Sequence, residues 1–164
     1  VITYISDQCR VHPENLYVIL TPTTSITGCT QISGRVVETG IHKLERLGFD
    51  PKAIMSASGH AAIAPVHPKL PEAMGRTNDA ILYTGVVYCN VSFDNDKELS
   101  RLIRKAPSSA SKSCGKPFLK IFEEANQDFY QIDSDLFAPA VMVINNLKTG
   151  GIFRGGKIDC EIFK

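Results

Sequence analysis

The chain has 164 residues, 43% of them hydrophobic, which is enough to bury one core and lies in the usual size range of a single domain. Its 18 Lys and Arg nearly balance its 17 Asp and Glu, so no bulk charge favours binding to nucleic acid or anionic lipid. No apolar run approaches the roughly 18 residues that span a bilayer, and no signal-like segment opens the chain. We therefore expect one soluble domain over residues 1–164, with neither nucleic acid nor a membrane as partner.

The five cysteines are odd in number and scattered, without any C-x-x-C pair. They are Cys9, Cys29, Cys89, Cys114 and Cys160. This pattern suggests neither a disulfide framework nor a zinc site, and a reducing cytoplasm is the expected location. The first residue is Val1 rather than Met, and the residues after it read like a segment entered partway along, so we expect a fragment or a processed chain.

The first third of the chain predicts a strand, a long helix and a second strand. Residues 16–20 are apolar, partly β-branched and soon followed by Pro22, which is typical of a buried strand. Residues 26–47 carry apolar side chains at helical spacing, and Gly48 follows as the expected C-terminal cap. Residues 53–58 provide the next strand, so the three elements predict a right-handed βαβ unit.

The rest of the chain predicts further strands and two shorter helices. Residues 80–83 and 86–91 flank Thr84-Gly85 as a β-hairpin would, which makes the sheet mixed. The other predicted elements are a helix capped near residues 94–96 and ending near residue 105, a Ser/Lys-rich loop at 108–113, a helix with Pro117 in its first turn, and strands at 140–145 and 152–154. The predicted fold class is therefore α/β, a mixed sheet with flanking helices.

Arg35 and Glu38 lie three residues apart on the predicted long helix, on one arc with Gln31 and His42 and opposite the apolar stripe. The pair is therefore expected to face away from this chain's own core. It belongs either to an ordinary solvated helix surface or to one wall of a cleft, and the spacing alone leaves both interpretations open.

Two details of the same helix favour the cleft. Arginine precedes glutamate, which is the less favourable order for a pair that merely stabilises a helix. Gly34 and Gly40 each cost the helix about 1 kcal/mol relative to alanine. Glycines inside a helix often mean that something packs closely against it.

Residues 75–79 place a guanidinium, a hydroxyl, an amide and a carboxylate side by side before an apolar predicted strand. We expect a loop in which Arg76, Thr77, Asn78 and Asp79 bind a polar ligand. Because Asn and Asp readily hydrogen-bond their own backbone, turn capping is the alternative interpretation.

Three other patterns predict no site. Residues 151–157 nearly spell a phosphate-binding loop, but Ile158 replaces the hydroxyl that would bind magnesium, and too few residues follow for a phosphate-facing helix. His60 and His67 lack a third ligand at useful spacing, so a loop or surface role is preferred over a metal site. Cys114 has lysine neighbours but no evident base partner, so we expect an inert thiol.

Six segments, in the same order along the chain, resemble methenyltetrahydromethanopterin cyclohydrolases, specifically their C-terminal half. They read PENLY at 13–17, QISGRVVETG at 31–40, AMGRTNDAILY at 73–83, PSSASK at 107–112, GKPF at 115–118 and NNLKTG at 145–150. Gly34 stands where many relatives have alanine, and Cys114 where an aromatic residue is common. Neither departure removes a functional group from the family's chemistry.

The resemblance implies an enzyme of one-carbon metabolism that reversibly hydrolyses the methenyl bridge of 5,10-methenyltetrahydromethanopterin to the 5-formyl compound, without a metal or redox cofactor. It also implies two α/β halves with the pterin bound between them, usually in a homotrimer, so that an N-terminal half is the expected partner of this chain. The family's catalytic arginine and glutamate, within R-V-V-E, correspond to Arg35 and Glu38. Methanogenesis and formaldehyde oxidation are both open as metabolic directions.

A non-catalytic interpretation competes with this one. In it, the isolated chain folds or assembles but contributes only part of the pterin site, and it becomes catalytic only with a partner.

Overall fold

The computed structural model describes residues 1–163, and its centre is a four-stranded mixed sheet. The strands are β1 (Ile54–His60), β2 (Val86–Val91), β3 (Val141–Asn146) and β4 (Ile152–Gly156), in the order β1-β2-β3-β4. β2 pairs antiparallel with β1 and parallel with β3, and β3 pairs antiparallel with β4. The predicted α/β class with a mixed sheet is confirmed, as are the strands near 53–58, 86–91, 140–145 and 152–154.

Helices flank this sheet, and their ends follow the capping signals of the sequence. They are α1 (Ile2–Cys9), α2 (Ile26–Gly34), α3 (Val36–Arg46), α4 (Leu70–Thr84), α5 (Asp96–Leu102) and α6 (Phe118–Glu124). The hydroxyl of Ser25 accepts the Gly28 N–H at the start of α2, and the side chain of Asn95 caps α5 in the same way. Gly48 has φ +91° just after α3, as predicted for a C-terminal cap.

The predicted helix over residues 26–47 is two helices rather than one. Arg35 lies between α2 and α3 with ψ −1°, and its N–H bonds back to the carbonyl of Ile32 in a 3-10 turn. Gly34 favours this break because glycine is a poor helix former. The hydroxyl of Ser33 donates to the carbonyl of Ala62 at 2.8 Å and so fixes the end of α2.

Three sequence predictions about connectivity are wrong. Residues 16–20 form no strand, so no βαβ unit begins the fold, and β1 instead pairs antiparallel with β2. Residues 75–79 are not a loop and residues 80–83 are not half of a hairpin, because both belong to α4. Pro71 fits this helix because it lies in the first turn, where the N–H that proline lacks would have no helical partner.

The larger core fills the space between one face of the sheet and helices α3, α4 and α5. It contains Val36, Leu44, Ile81, Val87, Cys89, Val91, Leu99, Leu102, Met142 and Ile144. Each such apolar side chain stabilises the fold by about 1.5–3 kcal/mol through burial. α3 and α4 are thereby held over the same sheet face. The other face is partly open, and Tyr88 is 45% exposed there.

A second core cluster lies on the far side of α4, around Tyr83 and Phe118. The Tyr83 hydroxyl donates to the carbonyl of Lys116 at 2.6 Å and accepts the Gly115 N–H at 2.9 Å. Burial raises the pKa of Tyr83 to about 12, so its hydroxyl keeps its proton. Across residues 1–163, no helix combines the length and the apolar character that a membrane crossing requires.

Candidate functional site

A cavity of about 230 Å³ lies between α3 and α4. Its lining residues are Arg35, Glu38, Thr39, His42, Asn78, Ile81, Leu82 and Phe137. The first four come from α3 and its N-cap, the next three from α4, and Phe137 follows the 3-10 turn Ser134–Leu136. The cavity therefore combines ionisable groups on the α3 wall with the Asn78 amide and apolar groups on the other.

The α3 wall follows from the amphipathic spacing of that helix. Arg35, Glu38 and His42 are three and four residues apart, so they share a face, and all three are exposed. On the opposite face Gly40 approaches β2 closely, and a Cβ added there would lie 3.0 Å from a methyl group of Val87. This contact fixes which face of α3 points to the cavity. The predicted arc of Arg35, Glu38 and His42 is confirmed, whereas Gln31 lies on α2 and does not line the cavity.

Arg35 and Glu38 keep their charged groups available. Within residues 1–163, neither side chain forms an ion pair or a hydrogen bond. A pair that merely stabilised the helix surface would form an ion pair between its own two side chains. Both groups can instead engage a ligand in the cavity.

The α4 wall comes from residues at the i, i+3 and i+4 positions of that helix, namely Asn78, Ile81 and Leu82. The Asn78 amide donates to the carbonyl of Met74 at 2.9 Å, which holds the side chain on the cavity side. Ile81 and Leu82 are 4% and 2% exposed and form an apolar floor.

Of the four predicted substrate-binding residues, only Asn78 joins Arg35 and Glu38 in the cavity. Arg76 is exposed and lies outside the cavity lining. Thr77 is fully buried, and its hydroxyl donates to the carbonyl of Met74 at 2.9 Å. A helix turns about 100° per residue, so neighbours of Asn78 point elsewhere.

Asp79 faces the core rather than the cavity. Its carboxylate accepts the Phe118 N–H at 2.8 Å and so ties α4 to the start of α6. Burial raises the pKa of Asp79 from about 3.8 to about 6, although the bond from Phe118 opposes the rise.

Phe137 was not predicted as a site residue, and its position depends on a buried lysine of α3. The ammonium of Lys43 is 2.7 Å from a carboxylate oxygen of Asp135, and Arg46 donates to the hydroxyl of Ser134 at 2.6 Å. These bonds hold the 3-10 turn just before Phe137 against α3. A signal was present in the sequence, because Lys43 falls on the apolar stripe of the helix, where a charge needs a partner.

The segments set aside in the sequence analysis have structural roles. Residues 152–156 form strand β4, not a phosphate-binding loop. A Cβ at Gly155 would lie 2.1 Å from the carbonyl oxygen of Ile103, so this glycine permits close packing. In the part of the chain that the structure describes, no three His, Cys, Asp or Glu residues are grouped so that they could hold a metal ion.

The family model described as Cyclohydrolase (MCH) matches residues 1–164. The chain belongs to this family. It is 48% identical over 159 residues to a protein of Methanothermobacter marburgensis named methenyltetrahydromethanopterin cyclohydrolase, covering 96% of this chain and 50% of that protein. Proteins with the same name from Methanococcoides burtonii and Methanocaldococcus jannaschii are 46% and 45% identical, covering 97% and 98% of this chain and 50% of each relative.

These comparisons confirm the resemblance drawn from the six sequence segments. The chain spans about half the length of the curated relatives it matches, and that half is the C-terminal one.

Proposed function

We propose that this chain supplies the C-terminal half of a methenyltetrahydromethanopterin cyclohydrolase. The reaction is the reversible hydrolysis of the methenyl bridge of 5,10-methenyltetrahydromethanopterin to the 5-formyl compound. The observation that carries the proposal is the presence of Arg35 and Glu38, both exposed and without a partner among residues 1–163, in one cavity with an apolar floor. The names of the relatives support the substrate class.

The chemistry of the substrate matches these groups. The bridge carbon lies between two nitrogens of a cationic amidinium and is already electrophilic, so the enzyme has to position a water molecule and move protons. Glu38 accepts a proton from the water as its oxygen bonds to the bridge carbon. Glu38 then returns that proton to N10 as the bond between the carbon and N10 breaks. The hydroxyl left on the carbon loses its own proton to water and becomes the carbonyl of the formyl group on N5. Arg35 orients Glu38 or the water.

The size of the cavity supports a site shared between two halves. Pockets that enclose a drug-sized ligand usually measure about 300–1,000 Å³, and the cavity here holds about 230 Å³ beside exposed catalytic candidates. An N-terminal half would cover the open side of the cavity and exclude bulk water from the reacting atoms. We extend the proposal to a homotrimer without a metal cofactor, as the family resemblance implies, and to the cytoplasm, as the cysteine pattern suggests. A redox cofactor is not needed, since the hydrolysis changes no oxidation state.

The same exposure supports the second candidate, in which the isolated chain is a non-catalytic half that assembles with a partner. In that case it contributes Arg35, Glu38 and Asn78 to the pterin site but performs no turnover alone.

The test replaces Glu38 by glutamine in an enzyme that joins the N-terminal half of the Methanothermobacter marburgensis relative to this chain. Glu38→Gln keeps the shape of the side chain but removes its basicity. We expect pterin binding to remain and turnover, followed by the absorbance of the methenyl pterin, to fall by about 10²–10⁴, the usual effect of losing a general base.

Glu45→Gln is the matched control, since Glu45 is an exposed glutamate of the same helix outside the cavity. It should leave turnover unchanged. Near-normal turnover of Glu38→Gln would remove Glu38 from the mechanism.

A further inference from the structure

Residues 16–20, here called the apolar arm, expose an unusually continuous apolar surface. Tyr17, Ile19 and Leu20 are 89%, 88% and 89% exposed, and Val18 is 48% exposed. Single exposed apolar side chains are normal, but a contiguous run of this kind usually marks a surface that something else covers.

The backbone of the arm is equally unpartnered. Leu16 has an extended backbone, with φ −101° and ψ 117°, and the residues from Tyr17 to Leu20 belong to no helix, strand or turn. Within the described chain, no N–H or carbonyl group from Tyr17 to Leu20 forms a hydrogen bond. The free N–H and carbonyl groups of an extended segment can pair with those at the edge of a β-sheet.

The composition of the arm favours a strand covered on both faces. Tyr, Val and Ile are strong strand formers, and no polar residue alternates with them. A strand with only one buried face would show that alternation, whereas a strand inside a sheet with both faces covered reads as a continuous apolar run. The free edges of this chain's own sheet, on β1 and β4, do not receive the arm.

We propose that the apolar arm adds as a strand to a sheet of the N-terminal half of the enzyme. The inference rests on the proposed function, because it takes that half as the occupant. The relatives are about twice as long as this chain, so each contains a second half of comparable size. If the two halves shared a sheet, removing one half would leave such a strand exposed and without hydrogen-bond partners in the other.

The attachment of the arm to α2 places the proposed contact with the N-terminal half near the cavity. Pro22 follows two residues after the arm, and its carbonyl accepts from both the N–H and the hydroxyl of Ser25, at 3.0 and 2.7 Å. A Cβ at Gly28 would lie 2.2 Å from the same carbonyl oxygen, so the arm is anchored tightly to the start of α2. Arg35 lies at the other end of α2, roughly 14 Å along a helix of this length. A partner sheet held by the arm therefore lies within reach of the open side of the cavity.

The experiment compares amide hydrogen exchange in the isolated chain and in the joined enzyme described above. We expect the amides of Val18, Ile19 and Leu20 to exchange at least about 100-fold more slowly in the joined enzyme, as for amides in a stable sheet. Ile19→Lys should reduce that protection by about 30-fold or more, the effect of losing a central interface anchor. It should leave the thermal unfolding of the isolated chain unchanged, because the fold does not use this side chain.

Met55→Lys is the matched control. Met55 is an apolar residue of β1 with 64% exposure, and its replacement should leave the protection of the arm intact. Loss of protection with Met55→Lys but not with Ile19→Lys would overturn the inference in favour of the sheet surface.

The remaining outcomes separate the inference from the proposed function. A joined enzyme that is active while the arm amides exchange freely would overturn the inference and leave the function standing. Protected arm amides in an inactive joined enzyme would support the inference and count against the function. Protection in the isolated chain that rises with its concentration would show that the arm binds a second copy, which also overturns the inference.

Discussion

The ammonium nitrogen of Lys43, a fully buried residue of α3, lies 2.7 Å from a carboxylate oxygen of Asp135 and 3.0 Å from the carbonyl oxygen of the same residue. The two residues are 92 positions apart in sequence. Their contact joins α3, which carries the candidate catalytic residue Glu38, to the segment that carries Phe137. The shape of the cavity thus depends on a charge pair that is buried at one end and half exposed at the other.

This pair predicts unequal costs for its two partners. Asp135→Ala leaves the buried ammonium with only a carbonyl acceptor, so we expect a loss of about 1.5–3 kcal/mol in the free energy of unfolding, as for a hydrogen bond to a charged group. Lys43→Met places an apolar side chain of similar length in the same space and should cost less, because no buried charge remains. Chemical denaturation of both variants and of the double variant measures the difference. A larger loss for Lys43→Met would contradict this account.

The glycines of the two consecutive helices predict opposite responses to alanine. No atom lies within 4 Å of a Cβ added at Gly34, so Gly34→Ala should raise the free energy of unfolding by up to about 1 kcal/mol. A Cβ added at Gly40 would lie 3.0–3.2 Å from three side-chain atoms of Val87, so Gly40→Ala should lower it by about 1–3 kcal/mol through overpacking. Adding Val87→Ala to Gly40→Ala relieves that clash. Equal effects at the two glycines would show that helix propensity, rather than packing, governs both positions.

Asp79 predicts a pH dependence of stability. Its pKa is raised to about 6 in the folded chain, so between about pH 4 and pH 6 the unfolded chain releases this proton while the folded chain keeps it. The contribution of Asp79 to the free energy of unfolding therefore falls as the pH rises through this window and is constant above it. Asp79→Asn cannot ionise, and it retains an oxygen that can accept the Phe118 N–H.

The measurement is the difference in free energy of unfolding between Asp79→Asn and the parent chain at several pH values. We expect the difference to shift in favour of the variant by about 1–3 kcal/mol between pH 4 and pH 7. A difference that stays constant over that range would mean that the folded chain does not hold this proton.

The strands of the sheet could be predicted because their signals are local, whereas α4 could not. Val86–Val91 and Val141–Asn146 are β-branched runs with clear boundaries. In α4, the polar residues 75–79 conceal the helix, since Thr77 and Asp79 are buried and the partner of Asp79 is distant in sequence. The partner of Asp79, the N–H of Phe118, is 39 residues away.

The candidate site shows the same division. Arg35 and Glu38 follow from the spacing of one helix and from the family motif, and the structure brings them together in one cavity. Phe137 could not be predicted, because Lys43 indicates only that a buried charge needs a partner, and the sequence does not show that this partner is Asp135. The apolar arm is the converse case, in which a local strand signal finds no partner strand within the described chain.

The most direct test of the proposed two-half cleft is a turnover assay of the isolated 164-residue chain beside the joined enzyme, followed by the absorbance of the methenyl pterin. Arg35 and Glu38 are exposed in this chain, so its cavity of about 230 Å³ does not exclude water from them. We therefore predict little or no turnover by the isolated chain and ready turnover by the joined enzyme. Glu38→Gln in the joined enzyme should lower that turnover. Full turnover by the isolated chain would show that the site is complete within these residues and would contradict the two-half cleft.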